Sequence, residues 1–241
     1  MENNPDHITS AITIRVSARA KHACLKVNGV GHVEVVIPKG YNQSLLPEFI
    51  AQHQTWLNKT IARMKAVRDP EMDTLRPQRI VLQAVNETWQ VNYGLREKPG
   101  MSEYRNAHCD PALWVWNREE SEPVTPLLSK WLTAKAKSTL PAWLEQVSEQ
   151  TGLRYSKLCI RAQKTRWGSC SHKKHINLNR ALLFLPEELV RYLMIHELSH
   201  TVHLNHSRAY WSLVARWAPQ YQSYEKQLNQ YSSRIPLWAL Q

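Results

Sequence analysis

Two histidines four residues apart, His196 and His200, enclose a glutamate, Glu197, in a pattern that could bind and use a metal ion. On an α-helix, side chains four residues apart lie on one face, so both imidazoles can approach the same ion. Glu197 lies on a neighbouring part of the same turn, where it can take a proton from a water molecule bound to the metal. The pattern predicts a hydrolytic zinc site, although other divalent ions also accept imidazole ligands.

A tetrahedral catalytic site needs a third protein ligand and one open position. His203, seven residues after the first histidine, would lie about 10 Å along an unbroken helix, which is too far to share one ion. His206 can reach the ion if the helix ends near Leu204–Asn205, because asparagine tolerates the left-handed conformation of helix ends. Glu225 is the only later acidic residue. The motif spacing favours His206 over Glu225.

The composition is that of a soluble globular protein. The 241 residues are 43% hydrophobic and 21% charged, which is enough apolar sequence for one large domain or two small ones and excludes a disordered chain. The first ten residues lack the pattern of a secretory signal, and no apolar run approaches the roughly 20 residues that span a bilayer. The four cysteines form no CxxC pair, which is typical of reduced thiols. We therefore expect a cytoplasmic protein without membrane association.

The charge is unevenly distributed along the chain. The formal net charge is +11, and no acidic residue occurs from Gln150 through Pro186, directly before the histidine motif. Eight basic residues lie in this segment: Arg154, Lys157, Arg161, Lys164, Arg166, Lys173, Lys174 and Arg180. Such a run is usually a solvated surface, but its place beside the predicted metal site also suggests an anionic substrate, and nucleic acid is a possible partner.

The elements that must position this site follow from periodicity and capping. Six segments that alternate apolar and polar residues are predicted strands: 12–16, 22–27, 32–37, 79–85, 88–93 and 113–116. Asn28–Gly29 is a predicted hairpin turn, and Asn86–Glu87 is another. An amphipathic helix is predicted from Ser44 to about Lys65, with Trp56 in its apolar stripe.

The second half of the chain is predicted to hold the catalytic part, residues 125–241, after a β-rich region of residues 1–124. A helix should begin at Thr125–Pro126, run towards Gln150 and end at Gly152. Two strands should follow at 157–161 and 176–179, the second at a substrate-facing sheet edge, with a donor-rich loop at 163–171 between them. The metal helix should begin at Pro186, and Ser207 can cap the next helix.

These motifs resemble one known family. The similarity is carried by six segments: Arg166–Ser171, Ile176–Asn179, Pro186–Glu188, His196–His200, Asn205–Ser207 and Tyr210–Trp211. They resemble the YgjP-like metal-dependent hydrolases, whose members are described as zincin-type metallopeptidases related to the SprT and WLM groups. The resemblance implies an α+β fold with a zincin-like core, built from a small antiparallel sheet edge and the HExxH helix. It also implies His196, His200 and His206 as zinc ligands and Glu197 as the general base.

The substrate is open at this stage. A zinc-dependent peptidase is the first prediction, a nucleotide phosphohydrolase or pyrophosphatase using the same metal site is the second, and a nucleic-acid-associated protein is the third. Arg166 and Ser169 in the donor-rich loop are candidate substrate-binding residues, since they could help stabilise an oxyanion. Tyr210 is a third candidate, because the family usually has Phe at this position and the extra hydroxyl could reach the site.

Overall fold

The computed structural model describes residues 12–27, 33–67, 74–106, 109–163 and 166–240. The chain divides into two compact units, Met1–Asp69 and Pro70–Gln241. Helices and strands both contribute to each unit, so the predicted α+β class is confirmed. In the described part of the chain, no helix is long and apolar enough to cross a bilayer.

The first unit is a three-stranded sheet with two helices. Its strands are β1 (Ile12–Ser17), β2 (Cys24–Val27) and β3 (Val33–Pro38), and its helices are α1 (Leu46–Gln52) and α2 (Gln54–Val67). The central strand, β3, runs parallel to β1 and antiparallel to β2. Its side chains are buried together with Leu46 of α1. The predicted Asn28–Gly29 turn lies outside the described residues.

The single helix predicted from Ser44 to Lys65 is interrupted. His53 leaves the helical conformation between α1 and α2, with φ −102° and ψ 3°. Leu57 is buried as expected, but the ring of Trp56 is 47% exposed, so its place in the apolar stripe was wrong. An apolar stripe extrapolated through the break at His53 therefore does not apply to the second helix.

A four-stranded sheet opens the second unit. It consists of β4 (Arg79–Leu82), β5 (Glu87–Leu95), β6 (Gly100–Asn106) and β7 (Cys109–Asn117), in the order β4-β5-β7-β6. The hairpin between β4 and β5 is present, but the predicted strand 79–85 ends at Leu82, and Gln83–Val85 form a 3-10 helix. Asn86 follows in the left-handed conformation, with φ 50°, and Glu87, predicted as part of the turn, already belongs to β5 and pairs with Leu82. Strand β6 was not predicted, because its solvent-facing sequence shows little apolar alternation.

The remaining elements surround the histidine motif. They are α3 (Thr125–Thr151), β8 (Lys157–Arg161), β9 (Gly168–Cys170), β10 (His175–Asn179), α4 (Glu187–Ser199), α5 (Arg208–Trp217) and α6 (Tyr221–Tyr231). Helix α3 ends at Gly152, whose φ is 71°, as predicted. One cluster of buried side chains includes Trp89 of β5, Leu132 of α3 and Leu198 of α4. The sequence-based boundary lies between residues 124 and 125, and Val124 and Leu128 both belong to this core, whereas the division into compact units falls between Asp69 and Pro70.

The small sheet beside α4 differs from the prediction in two ways. Its order is β8-β10-β9, so β10, expected at the edge, is the central strand. The sheet is mixed and not purely antiparallel, because β10 runs parallel to β8 and antiparallel to β9. The antiparallel edge is β9, three residues within the segment that was predicted to be a loop. This strand is too short to show an alternating pattern in the sequence.

Arg180, counted above with the basic surface, is an interior residue. Only 5% of it is exposed, and its guanidinium donates to the carbonyls of Ser129 and Ala239 and to Oγ1 of Thr133. It thereby ties the chain end to α3. Nearby, the ring of Trp238 is 1% exposed and packs edge-on against a phenylalanine.

Candidate metal centre

Helix α4 supplies two of the three histidines. It begins after Pro186, has Glu187 and Glu188 in its first turn, and buries most of its residues in the core. The helix ends at Ser199, and His200 is the C-terminal cap with φ −68° and ψ −14°. The predicted continuation to Leu204–Asn205 was wrong, because the chain turns away directly after His200.

The return of the chain does not use a left-handed asparagine. Among the described non-glycine residues, positive φ occurs at Asn86 and Lys174 and not at Asn205. Instead, the amide of Thr201 donates to Leu198, and the amide of His203 donates to Ser199. Ser207 then caps α5 as predicted, since its hydroxyl accepts from the amide of Tyr210. These turns bring the loop between α4 and α5 back towards the helix face.

The three predicted ligands converge in space. Ligand atoms of His196, His200 and His206 all lie within 4.8 Å of one another. The Nε2 atoms of His196 and His206 are 3.4 Å apart. His196 is 16% exposed at its side chain, whereas His206 lies in an exposed loop. His206 is oriented by Trp211: the two rings stack at a centroid distance of 5.4 Å.

Hydrogen bonds leave one ring nitrogen free on His200. Its Nδ1 lies 2.9 Å from the carbonyl oxygen of His203, and only a protonated nitrogen can donate to that oxygen. Nε2 is therefore the unprotonated nitrogen, with its lone pair available for an ion. The ring of Tyr210 stacks on this imidazole at 4.5 Å, and its hydroxyl donates to the carbonyl of His196.

Burial favours the neutral form of the two helix histidines, His196 and His200. It lowers the pKa of His196 to about 3, with further lowering from the neighbouring charges of His200 and His206. Burial also lowers the pKa of His200. Neutral imidazoles are the form that binds metal, and three of them match the ligand set of a catalytic site with one open position.

The carboxylate of Glu197 is buried without a complete set of partners. The residue is 4% exposed, and its Oε2 has no hydrogen-bond partner among the described residues. Burial raises the pKa of Glu197 to about 8, while the positive charge of Arg166 acts in the opposite direction. A buried, unpaired oxygen is costly unless a ligand or water satisfies it. The three imidazoles and this oxygen together fit a divalent ion and its attendant water.

The three candidate substrate residues are placed differently. Arg166 is exposed and near enough to influence Glu197. Ser169 is on β9, where neighbouring side chains alternate between faces; Gly168 faces Glu197, so Ser169 faces away from it. Its hydroxyl accepts from Nδ2 of Asn177. Tyr210 is fully buried, with its hydroxyl occupied by the helix carbonyl.

Two residues near the site were not singled out from the sequence, and one was assigned a different role. Tyr192 lies one helical turn before His196, and its hydroxyl donates to Oε1 of Glu225. Glu225, weighed above as a possible third ligand, is outside the histidine cluster, with Oε1 3.9 Å from Nδ1 of His196; the third member of the cluster is His206. Gly168, in the segment predicted to be a loop, contacts Glu197. The spacing of four from His196 was the available signal for Tyr192.

Comparison with known proteins gives a family and one structure. The YgjP-like family model, described as a metallopeptidase domain, matches residues 21–231. Among solved structures, the chain is similar to the crystal structure of the metallopeptidase zymogen of Pyrococcus abyssi abylysin, with 28% sequence identity and a TM-score of 0.35. The aligned region is 39% of this chain and 95% of the abylysin chain. No curated protein matches the chain.

Proposed function

The chain belongs to the YgjP-like family of metallopeptidase domains, and from this premise we propose that it hydrolyses peptide bonds with a zinc ion. In this proposal His196, His200 and His206 hold the ion, and Glu197 is the general base. The observation that carries the proposal is the convergence of three imidazoles, two of which come from the helix turn that also holds the buried Glu197. Family membership implies a divalent metal, and the choice of zinc rests on the donor set.

Three neutral nitrogen donors suit zinc better than the hard ions that prefer oxygen ligands. When bound, a zinc ion supplies Lewis acidity, which makes water a stronger nucleophile and stabilises negative charge on a carbonyl oxygen. The protein contributes ligand orientation, through the bond from His200 Nδ1 to the carbonyl of His203 and the stacking of Trp211 on His206. It also supplies a largely buried wall on the side of α4.

Glu197 is the residue assigned to proton transfer. Its Oε2 would accept the proton of the attacking water and then deliver it to the leaving amine. Two features support this role: Glu197 follows His196 directly in the helix, and no protein donor among the described residues occupies its Oε2. A carboxylate in a strong structural hydrogen bond would be a poorer base, so the free oxygen favours a chemical role.

Strand β9 is the proposed docking edge for a peptide. Within the described residues it has a strand neighbour on one side only, β10. An extended peptide can add to such an edge through main-chain hydrogen bonds. Gly168 at the start of β9 contacts Glu197, so a peptide on this edge would pass the proposed base. This edge replaces β10, which is paired on both sides.

The proposal is tested with zinc-loaded protein, a set of internally quenched peptides and an unfolded protein substrate. Wild type should cleave peptide bonds, and Glu197→Gln should bind zinc equally while losing cleavage by about 10²–10⁴-fold, the contribution typical of a general base. Glu188→Gln, an exposed glutamate on the same helix, is the matched control and should retain full activity. Absence of cleavage by wild type, or equal cleavage by Glu197→Gln, would contradict the proposal.

A nucleotide phosphohydrolase is the second candidate, on the evidence of charge. Lys157 and Arg161 of β8 are exposed, as are Lys173 and Arg166, and none of the four has an acidic residue near it in the sequence. Of these four, Arg166 acts electrostatically on Glu197, and an exposed cation near the site would attract a phosphate-bearing substrate. The same preparations should be offered a nucleotide panel; phosphate or pyrophosphate release that depends on Glu197 would favour this candidate over the peptidase.

Nucleic-acid association remains a prediction of the same charge distribution. It requires binding to DNA or RNA that weakens steeply as salt increases, because phosphate contacts release counterions. The absence of binding at low salt would exclude it. The buried Arg180 does not contribute to such a surface, because its donors are used inside the protein.

A further inference from the structure

One nitrogen of His196 faces away from the histidine cluster. Its Nε2 is 3.4 Å from Nε2 of His206, so Nδ1 lies on the other side of the ring. There it is 3.5 Å from the hydroxyl oxygen of Tyr192 and 3.9 Å from Oε1 of Glu225. An imidazole can offer a lone pair to an ion at Nε2 only if its single proton is on Nδ1.

The direction of the hydrogen bond between Tyr192 and Glu225 decides whether the tyrosine oxygen can accept a hydrogen bond from Nδ1 of His196. The hydroxyl of Tyr192 gives its only proton to Oε1 of Glu225. The lone pairs of this hydroxyl are then left to accept from Nδ1 of His196. Tyr192 belongs to α4 and is 1% exposed, and Glu225 belongs to α6. The chain of groups therefore runs from the ring, through a hydroxyl, to a carboxylate.

We propose that Tyr192 and Glu225 are positioning residues that hold His196 with its proton on Nδ1 and Nε2 directed to the ion. The proposal rests on the proposed role of the three histidines as metal ligands. In His200 the same task belongs to the backbone: its Nδ1 donates a hydrogen bond to the carbonyl oxygen of His203. For His196 the proposal gives this task to two side chains. Outer partners of this kind fix the tautomer and the ring orientation of a metal-binding histidine.

The tautomer itself is the first readout, measured by nitrogen-15 NMR of the histidine side chains in metal-free protein. Wild type should show His196 protonated at Nδ1, and Tyr192→Phe should lose that preference. Tyr224→Phe is the matched control: its ring lies 5.3 Å from that of Tyr192, and its hydroxyl makes no hydrogen bond among the described residues. A merely structural Tyr192 would leave the His196 tautomer unchanged in Tyr192→Phe, and that result would overturn the proposal.

Metal affinity is the second readout, measured by competition between the protein and a chelator for zinc or cobalt. Loss of an outer partner typically weakens binding 10–100-fold, so Tyr192→Phe and Glu225→Ala should both do so. Glu225→Gln keeps an acceptor oxygen for the tyrosine and should bind within a few-fold of wild type. Because Glu225 is 43% exposed at its side chain, Glu225→Ala tests the proposal even if Tyr192→Phe fails to fold.

The two proposals fail in different ways. If wild type shows the expected tautomer but binds neither zinc nor cobalt, the metal-dependent function fails, and only the fixing of the His196 tautomer by Tyr192 and Glu225 stands. If wild type binds zinc while Tyr192→Phe and Glu225→Ala match it in affinity and tautomer, the positioning role is wrong. If these variants melt at a lower temperature but keep the zinc affinity and the His196 tautomer, Tyr192 and Glu225 only stabilise the packing of α4 against α6, and the positioning role is again wrong.

Discussion

The carboxylate of Glu197 packs directly against the backbone of Gly168. A Cβ atom at position 168 would lie 2.5 Å from Oε1 of the glutamate and 2.8 Å from its Cγ and Cδ. Contacts this short do not occur for real Cβ atoms, so the edge strand can approach α4 this closely only with glycine at this place. The backbone of β9 is thus one wall of the position that Glu197 occupies.

Gly168→Ala should therefore displace the proposed base without unfolding the protein. We expect kcat to fall about 10–100-fold, since an error of about 1 Å in a reacting group can cost that much, with KM and zinc affinity little changed. The measurement is steady-state kinetics with zinc titration of the same preparation. Gly100→Ala is the control, because a Cβ at Gly100 has nothing within 4 Å. Full activity of Gly168→Ala would show that the glutamate position is not critical.

Arg180→Ala should destabilise the protein. Its guanidinium serves two buried carbonyls and a threonine hydroxyl, which would lose their donor together. Hydrogen bonds to charged groups are worth about 1.5–3 kcal/mol, so we expect the free energy of unfolding to fall by about 2–4 kcal/mol. Urea denaturation measures it. Lys173→Ala, an exposed cation from the same basic segment, should change it by less than about 0.5 kcal/mol. Equal effects of the two variants would refute the interior role of Arg180.

Glu87 should make stability depend on acid pH. Burial raises its pKa, but hydrogen bonds from Lys135, Trp89 and Arg105 outweigh this and leave the pKa below its ordinary value of 4.5. A carboxyl whose folded pKa is lowered contributes stability that is present above the unfolded pKa and is lost as pH falls through the folded pKa. The melting temperature of Glu87→Gln should therefore be lower than that of wild type near pH 6.

The difference between Glu87→Gln and wild type should shrink as the pH falls below about 4, where both folded and unfolded carboxyls take up protons. Glu149→Gln, an exposed glutamate on α3, is the control and should melt like wild type across the range. Thermal melts of the metal-free proteins between pH 3 and pH 7 make the comparison. A difference that is constant with pH would mean that the charge of Glu87 is not what stabilises the fold.

The parts of the site that sequence could predict are those fixed by local spacing. Two histidines four apart share a helix face whatever the rest of the fold does, and Ser207 caps the next helix through bonds to its own first turn. His206 was favoured over Glu225 as the third ligand on motif spacing, after His203 was set aside on distance. The structure brings these three histidines together, although the predicted left-handed stop at Asn205 was wrong.

The parts that sequence could not predict depend on contacts between distant segments. Strand β9 has three residues, too few for a periodic pattern, and it forms because β10 pairs with it. Because β10 pairs with strands on both sides, it is the central strand and not the predicted edge strand. Arg180 appears in the sequence as one of eight basic residues, and only the meeting of α3 with the chain end buries it. Gly168 contacts a residue 29 positions later, and no local signal marks that approach.

The central claim is that His196, His200 and His206 together bind one divalent ion. Zinc content per chain, measured by mass spectrometry after dialysis against zinc-free buffer, tests it most directly when wild type is compared with His206→Ala and His203→Ala. His203→Ala is the control: His203 lies outside the cluster, and the variant keeps the backbone carbonyl that accepts a hydrogen bond from His200. We predict one zinc per chain in wild type and His203→Ala and a large loss in His206→Ala; zinc-free wild type, or equal content in all three, would contradict the account.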